Sequence, residues 1–273
     1  MPLQTTILAS STAGNQGRRP HHPIAALLVP VIMLTLGAQA VSLLNGWNVM
    51  PAKLLELVLL LGGATLFTAR ASGRQGVRSL YAGLTRWRIG APRALMVLAA
   101  LPLLTVAVAA LTGTLQEPAD GIAPVILFYL LALGFGAVTA NLWEETVWGG
   151  FVQTPLMARH GLFWGSLLTA VPFFLIHLPL AFEETGWAGT SWQDAGITWV
   201  ILLISAPFFR YLIGTVLLDT RGSLLAAGVL HASFNASGAL PVMSGGWQYV
   251  PAMIVLTLTV AVVRRRAGAA ATR

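Results

Sequence analysis

The sequence predicts an all-α fold, a polytopic membrane bundle of about eight transmembrane helices, and three observations carry that expectation. The 273 residues are 56% hydrophobic and only 9% charged, with a mean hydropathy of +0.76. A water-soluble domain of this size needs more charge to cover its surface. Apolar runs of about 20 residues, the length that crosses a bilayer core, recur along the chain. Basic residues gather in alternate connections and acidic residues in the others, as cytoplasmic and external loops do. The net charge of +7 therefore reflects topology. Because these charges fall between apolar spans and not on one amphipathic surface, nucleic acid is excluded as a partner and the lipid bilayer takes its place. Cysteine is absent, which removes thiol catalysis, disulfides and cysteine-ligated metal together.

Residues 1–23 are rich in Ser, Thr, Gln and Gly and end in Arg18-Arg19-Pro20-His21-His22-Pro23. No apolar region precedes those charges, so a disordered cytoplasmic tail is expected, not a cleaved signal peptide. Ile24–Leu44 supplies the first span. Pro51 opens a second, to about Ala69, with Lys53 and Glu56 near its entrance. Arg70–Arg93 then holds six arginines and no acid. Within it Val77, Leu80, Tyr81, Leu84 and Trp87 recur at helical spacing against Arg74, Arg78, Arg86 and Arg88, the pattern of a basic helix lying in the headgroup layer. Ala94–Thr112 is the third span. It closes an N-terminal unit, residues 24–121, on an external loop whose only charges are Glu117 and Asp120.

The fourth span starts near Ile122, and apolar character continues to Met157, about 50 Å of straight helix. A helix of that length must tilt or be interrupted, at Gly149-Gly150 or at Pro155. Leu162–Ala181, Ile197–Leu218 and Ser223–Leu240 follow as the fifth to seventh spans, the last two joined by the Asp219–Gly222 turn. Val250–Val263 forms an eighth within a final unit, residues 241–273, that ends on Arg264-Arg265-Arg266 and a basic cytoplasmic C-terminus. Both termini then lie inside, and a bacterial-type plasma membrane is the expected location. The sequence sets no oligomeric state.

Ionisable residues within apolar spans are costly and point to function. Glu144 and Glu145 stand at the end of the run Val125–Ala140. Glu144 lies 15 residues from Arg159, His177 lies 17 from His160, and His231 and Asn235 lie 10 and 14 from Arg221. At helical rise these separations are roughly 22, 26, 15 and 21 Å, one common layer. His231 and Asn235, four apart, share a helix face. A lone intramembrane His or Asn is an ordinary interhelical hydrogen-bond partner, but two carboxylates, two histidines and an amide at one depth form a candidate functional cluster. Arg210, about 16 Å from the Arg221 turn, is either a cation for that cluster or an interface anchor.

Three ordered motifs, Glu144-Glu145 followed by Trp148-Gly149-Gly150-Phe151, then Phe173-Phe174-Leu175-Ile176-His177, then His231-Ala232-Ser233-Phe234-Asn235, resemble those of the CPBP family of intramembrane proteases. That family includes type II CAAX prenyl endopeptidases and bacteriocin-processing or self-immunity proteins. The likeness covers roughly Pro124–Leu240 and places a CPBP-like core at residues 122–240. It implies hydrolysis of a peptide bond in a membrane-associated peptide, with Glu144 and His177 activating water and His231 and Asn235 stabilising the oxyanion. Glu145 faces away from Glu144 on a regular helix and is expected to orient the site or pair with a cation. The chain departs from the family pattern at Gly149, where an arginine is usual, and Arg210 is the candidate substitute. No cofactor is favoured. The alternative is a catalytic zinc on Glu144, His177 and His231. The substrate class stays open among a prenylated C-terminus, a leader peptide and another protein's span. Two other readings compete: a CPBP-fold scaffold or immunity protein without catalysis, and a small proton-coupled transporter.

Overall fold

The structure, a computed structural model, describes residues 23–271, with side chains through residue 267, so residues 1–22 of the expected tail lie outside it. Among the described residues every regular element is a helix, and one isolated antiparallel bridge, Leu115 to Met243, ties two loops. We number the main helices α1 (Pro23–Leu44), α2 (Met50–Tyr81), α3 (Ala91–Leu111), α4 (Ile122–Gly136), α5 (Thr154–Ile176), α6 (Trp192–Asp219), α7 (Leu224–Gly238) and α8 (Tyr249–Ala271). Among the described residues, five helical stretches are long and apolar enough to cross a membrane: Pro23–Leu44, Met50–Thr85, Ala91–Leu111, Ile122–Phe182 and Trp192–Asp219.

The longest of these is a hairpin. Gly161 adopts φ 77° and ψ 171°, a conformation open to glycine because it has no Cβ. A Cβ on Gly165 would lie 2.6 Å from the Met157 Cα. Two residues eight apart meet that way only if the chain has turned back on itself. The reversal therefore falls between the fourth and fifth expected spans, beside Arg159-His160, and neither Gly149-Gly150 nor Pro155 interrupts the path. Pro155 sits where the widened segment passes into α5, and the chain stays helical through it. Gly149 and Gly150 sit in a widened helical segment that continues the path.

Gly73 (φ 61°, ψ −160°) breaks α2 in the same manner. Thr65 Oγ1 and Tyr81 OH are 2.7 Å apart although the residues are 16 positions apart in sequence, so the basic segment folds back along the bundle. Its expected periodicity holds through Leu84, with Val77, Leu80, Tyr81 and Leu84 partly buried while Arg74 and Arg78 are exposed; Trp87, expected on the same face, lies past the helical turns and is exposed. Leu80 reaches Gly150, where a Cβ would come 2.8 Å from its Cδ1.

Helix α7 runs through the centre, packed against α3, α4, α6, α8 and the Leu142–Glu145 turn. Ala226, Ala227, Gly228, Ala232, Ser233, Ala236 and Ser237 are all buried along it, small side chains that let neighbouring backbones approach. Ser223 caps it by accepting from the Ala226 N–H at 3.0 Å, while its own hydroxyl donates to the Arg86 carbonyl at 2.6 Å.

Candidate active site

Between α4 and α5 the chain stays helical but changes pitch. Ala137–Asn141 and Thr146–Gln153 are π-helical and flank one α-turn, Leu142–Glu145. Wide turns of this kind displace carbonyls from the i−4 ladder, and side chains five residues on collect two of them. The Trp143 indole N–H donates to the Val138 carbonyl at 2.8 Å, and the Thr154 hydroxyl to that of Gly149 at 2.7 Å. The glutamate pair is thus mounted on a locally rewound turn.

Glu145 points into the bundle and is fully buried. Arg210 of α6, also fully buried, grips it with two parallel bonds, Nη1 to Oε1 at 2.7 Å and Nη2 to Oε2 at 3.1 Å. His231 Nδ1 lies 3.0 Å from the same Oε1. Gln153 completes the set: its Oε1 accepts from Arg210 Nε at 2.9 Å and also from Nη2. Its Nε2 donates to the Arg210 carbonyl at 2.6 Å and to Ser166 Oγ at 3.0 Å. The guanidinium carbon also sits 5.2 Å from the Phe173 ring centroid and 5.9 Å from that of Phe209. Arg210 is therefore the cation of the cluster and not an interface anchor. A buried pair is tolerable when its hydrogen-bonding capacity is filled this fully.

Two glycines make the arrangement sterically accessible. A Cβ on Gly149 would stand 2.9 Å from Glu145 Oε2, so the position where the motif carries arginine abuts this carboxylate. The guanidinium arrives from α6 instead. A Cβ on Gly228 would meet the Leu142 Cα at 2.9 Å. With only hydrogen there, α7 lies close enough for His231, three residues on, to reach Glu145.

Glu144 is held loosely. Its side chain is 29% exposed. Asn141 Nδ2 donates to its Oε2 at 3.2 Å, and His231 Nδ1 is 3.7 Å from that oxygen. His177 ends α5, where Leu178–Phe182 turns into a 3₁₀ segment behind it. Its Nδ1 lies 2.6 Å from the Phe173 carbonyl, which only accepts, so that nitrogen carries the proton and Nε2 is left free. His177 is within electrostatic reach of both Glu144 and His231. A cavity of about 130 Å³ is lined by His177, His231 and Asn235 together with Phe173, Phe209 and Phe234. Such a volume admits a few waters. Asn235 is exposed one turn beyond His231. Neither glutamate borders this cavity; both lie on the Nδ1 side of His231.

The five expected residues thus converge, in two groups hinged on His231. Residue-by-residue reading missed Gln153, whose signal was a lone amide inside an apolar run. Glu56 is also closer to the site than its place at a span entrance suggested. It accepts from Gln39 Nε2 at 2.8 Å and lies within electrostatic reach of Glu144. The zinc alternative needs Glu144, His177 and His231 to converge as ligands. Among the described residues no group of three or more His, Asp or Glu is arranged to hold a metal ion. Glu144 lies on the Nδ1 side of His231, 3.7 Å from that nitrogen, whereas His177 and His231 share a cavity that neither glutamate borders, so the three do not converge as one ligand set.

A family model described as type II CAAX prenyl endopeptidase Rce1-like matches residues 102–237. That interval contains all three motifs and also Arg210 and Gln153. No curated protein matches the chain.

Proposed function

The chain belongs to the type II CAAX prenyl endopeptidase Rce1-like family, and from that premise we propose that it is an intramembrane endopeptidase acting by carboxylate-activated water on a membrane-associated peptide. The observation that carries this reading is the unequal treatment of two adjacent glutamates. Glu145 is neutralised by Arg210 and fully buried, whereas Glu144 is partly open and held by one amide. A residue built only for packing needs no such neighbour. A general base must have a lone pair within reach of water.

In the proposed reaction, water held by the free Nε2 of His177 loses a proton to Glu144 as its oxygen adds to the scissile carbonyl carbon. The resulting oxyanion accepts from the Asn235 amide and from His231. Because the Nδ1 proton of His231 is committed to Glu145, its Nε2 donates only as imidazolium, and the neutral Asn235 amide is the donor that needs no proton. Breakage of the C–N bond follows, with Glu144 returning its proton to the leaving nitrogen. Glu145, Arg210 and Gln153 touch no reacting atom in this scheme; they position His231. Gly149, the feature that favoured a non-catalytic scaffold, loses that weight because Arg210 supplies the missing guanidinium. A prenylated C-terminal peptide is the substrate class that membership favours.

The chain is an integral membrane protein. We assign it eight spans with both termini cytoplasmic, counting both limbs of the Gly161 hairpin and the central α7 and α8. Comparing the peptide termini in membranes from cells expressing the wild type or Glu144→Gln tests the activity and identifies substrates. New termini that depend on Glu144 are expected; identical sets would overturn the proposal.

A further inference from the structure

At the basic end of the bundle, the connection after α2 meets the turn between α6 and α7. Thr85, Arg86, Trp87, Arg88, Thr220 and Arg221 line a cleft of about 570 Å³ there, with no acidic side chain among them. The cleft is built. Arg86 Nη1 donates to the Arg221 carbonyl, and at 3.4 Å to that of Gly222. Ser223 ties the same strip of backbone from the other side through the Arg86 carbonyl. Arg221 stands in the left-handed region, φ 57°, a conformation that a residue with a Cβ adopts only at a cost. Arg88 lies over the Trp87 ring at 5.0 Å, and Trp87 itself is 67% exposed. The nearest acid in the turn, Asp219, is paired with Arg264 and leaves the cleft's charge uncompensated.

We propose that this cleft binds the phosphate of an anionic lipid headgroup. The guanidinium is a planar fork suited to phosphate oxygens. Trp87 favours a lipid over a soluble phosphate, since an exposed indole beside arginines at the ends of apolar helices is the signature of the headgroup layer. The site is separate from the glutamate cluster and stands whether or not the chain is a protease. It would fix the depth of the α6–α7 turn, and through α7 that of His231.

Native mass spectrometry of the purified full-length chain, titrated with phosphatidylglycerol or phosphatidylcholine, tests it. A preference of at least about thirtyfold for phosphatidylglycerol is expected. Arg88→Gln combined with Arg221→Asn, the latter chosen because asparagine tolerates positive φ, should lower that affinity about thirtyfold, about fivefold per arginine, and leave phosphatidylcholine unaffected. Should the double variant fail to fold, Arg88→Gln alone, at an exposed side chain, should give the fivefold loss. Equal retention of both lipids, or variants that keep the preference, overturns the proposal. Inorganic phosphate binding as tightly as phosphatidylglycerol would make the cleft a site for soluble phosphate and overturn the lipid assignment.

Discussion

Arg210→Leu leaves Glu145 in a site with no solvent exposure and without its cation. Breaking a buried pair in this way costs about 3–5 kcal/mol, and thermal unfolding in detergent should register it as a large fall in melting temperature. Gly149→Arg behaves differently by context. In the wild type its Cβ crowds Glu145 Oε2 at 2.9 Å and destabilises; beside Arg210→Leu it brings a guanidinium to the same carboxylate and should recover part of the loss. A double-mutant cycle in which Gly149→Arg is equally harmful in both backgrounds would contradict this. Gln153→Leu should cost about 1–3 kcal/mol, because it leaves buried Arg210 N–H groups without an acceptor. Arg210 was legible in the sequence as a cation at an unusual depth. Gln153 was not, since a single amide in an apolar run has no spacing that ties it to an arginine 57 positions away.

Helices bring these residues together through small side chains at particular crossings. Gly228→Ala would place a methyl 2.9 Å from the Leu142 Cα, a backbone atom that cannot rotate aside. Overpacking of this kind costs about 1–3 kcal/mol. It should also move His231 away from Glu145, so that activity falls further than stability alone explains. Gly37→Ala, with nothing near its Cβ, is the control and should be silent. The common depth of Glu144, His177 and His231 was legible because helical rise converts loop distance into height. So was a return between the fourth and fifth expected spans, at the basic Arg159-His160 pair beside Gly161; the reversal at Gly73 was not. A glycine inside an apolar helical pattern is compatible with continuation or with positive φ, and only tertiary contacts such as Thr65 with Tyr81 decide between them. The π-turns around the glutamates were hidden for a related reason: side-chain periodicity barely changes over one widened turn.

For the whole molecule, the fold class followed from composition and span length, which act over hundreds of residues and tolerate local error. The span count depends on α7, 15 residues long and buried on most sides, on α8, and on whether Ile122–Phe182 is read as one stretch or two. The eight-span assignment predicts cytoplasmic reporters after Gly73 and after Arg266 and an external one after Gly186. A cytoplasmic signal at Gly186 would contradict it.

The central claim is a division of labour, with Glu144 acting on water and Glu145 holding the site together. Cleavage of a prenylated peptide by purified Glu144→Gln, at a melting temperature matched to the wild type, tests it most directly. The rate should fall about 10²–10⁴-fold, the usual contribution of a positioned acid–base group; a wild-type rate from the folded variant would contradict the account.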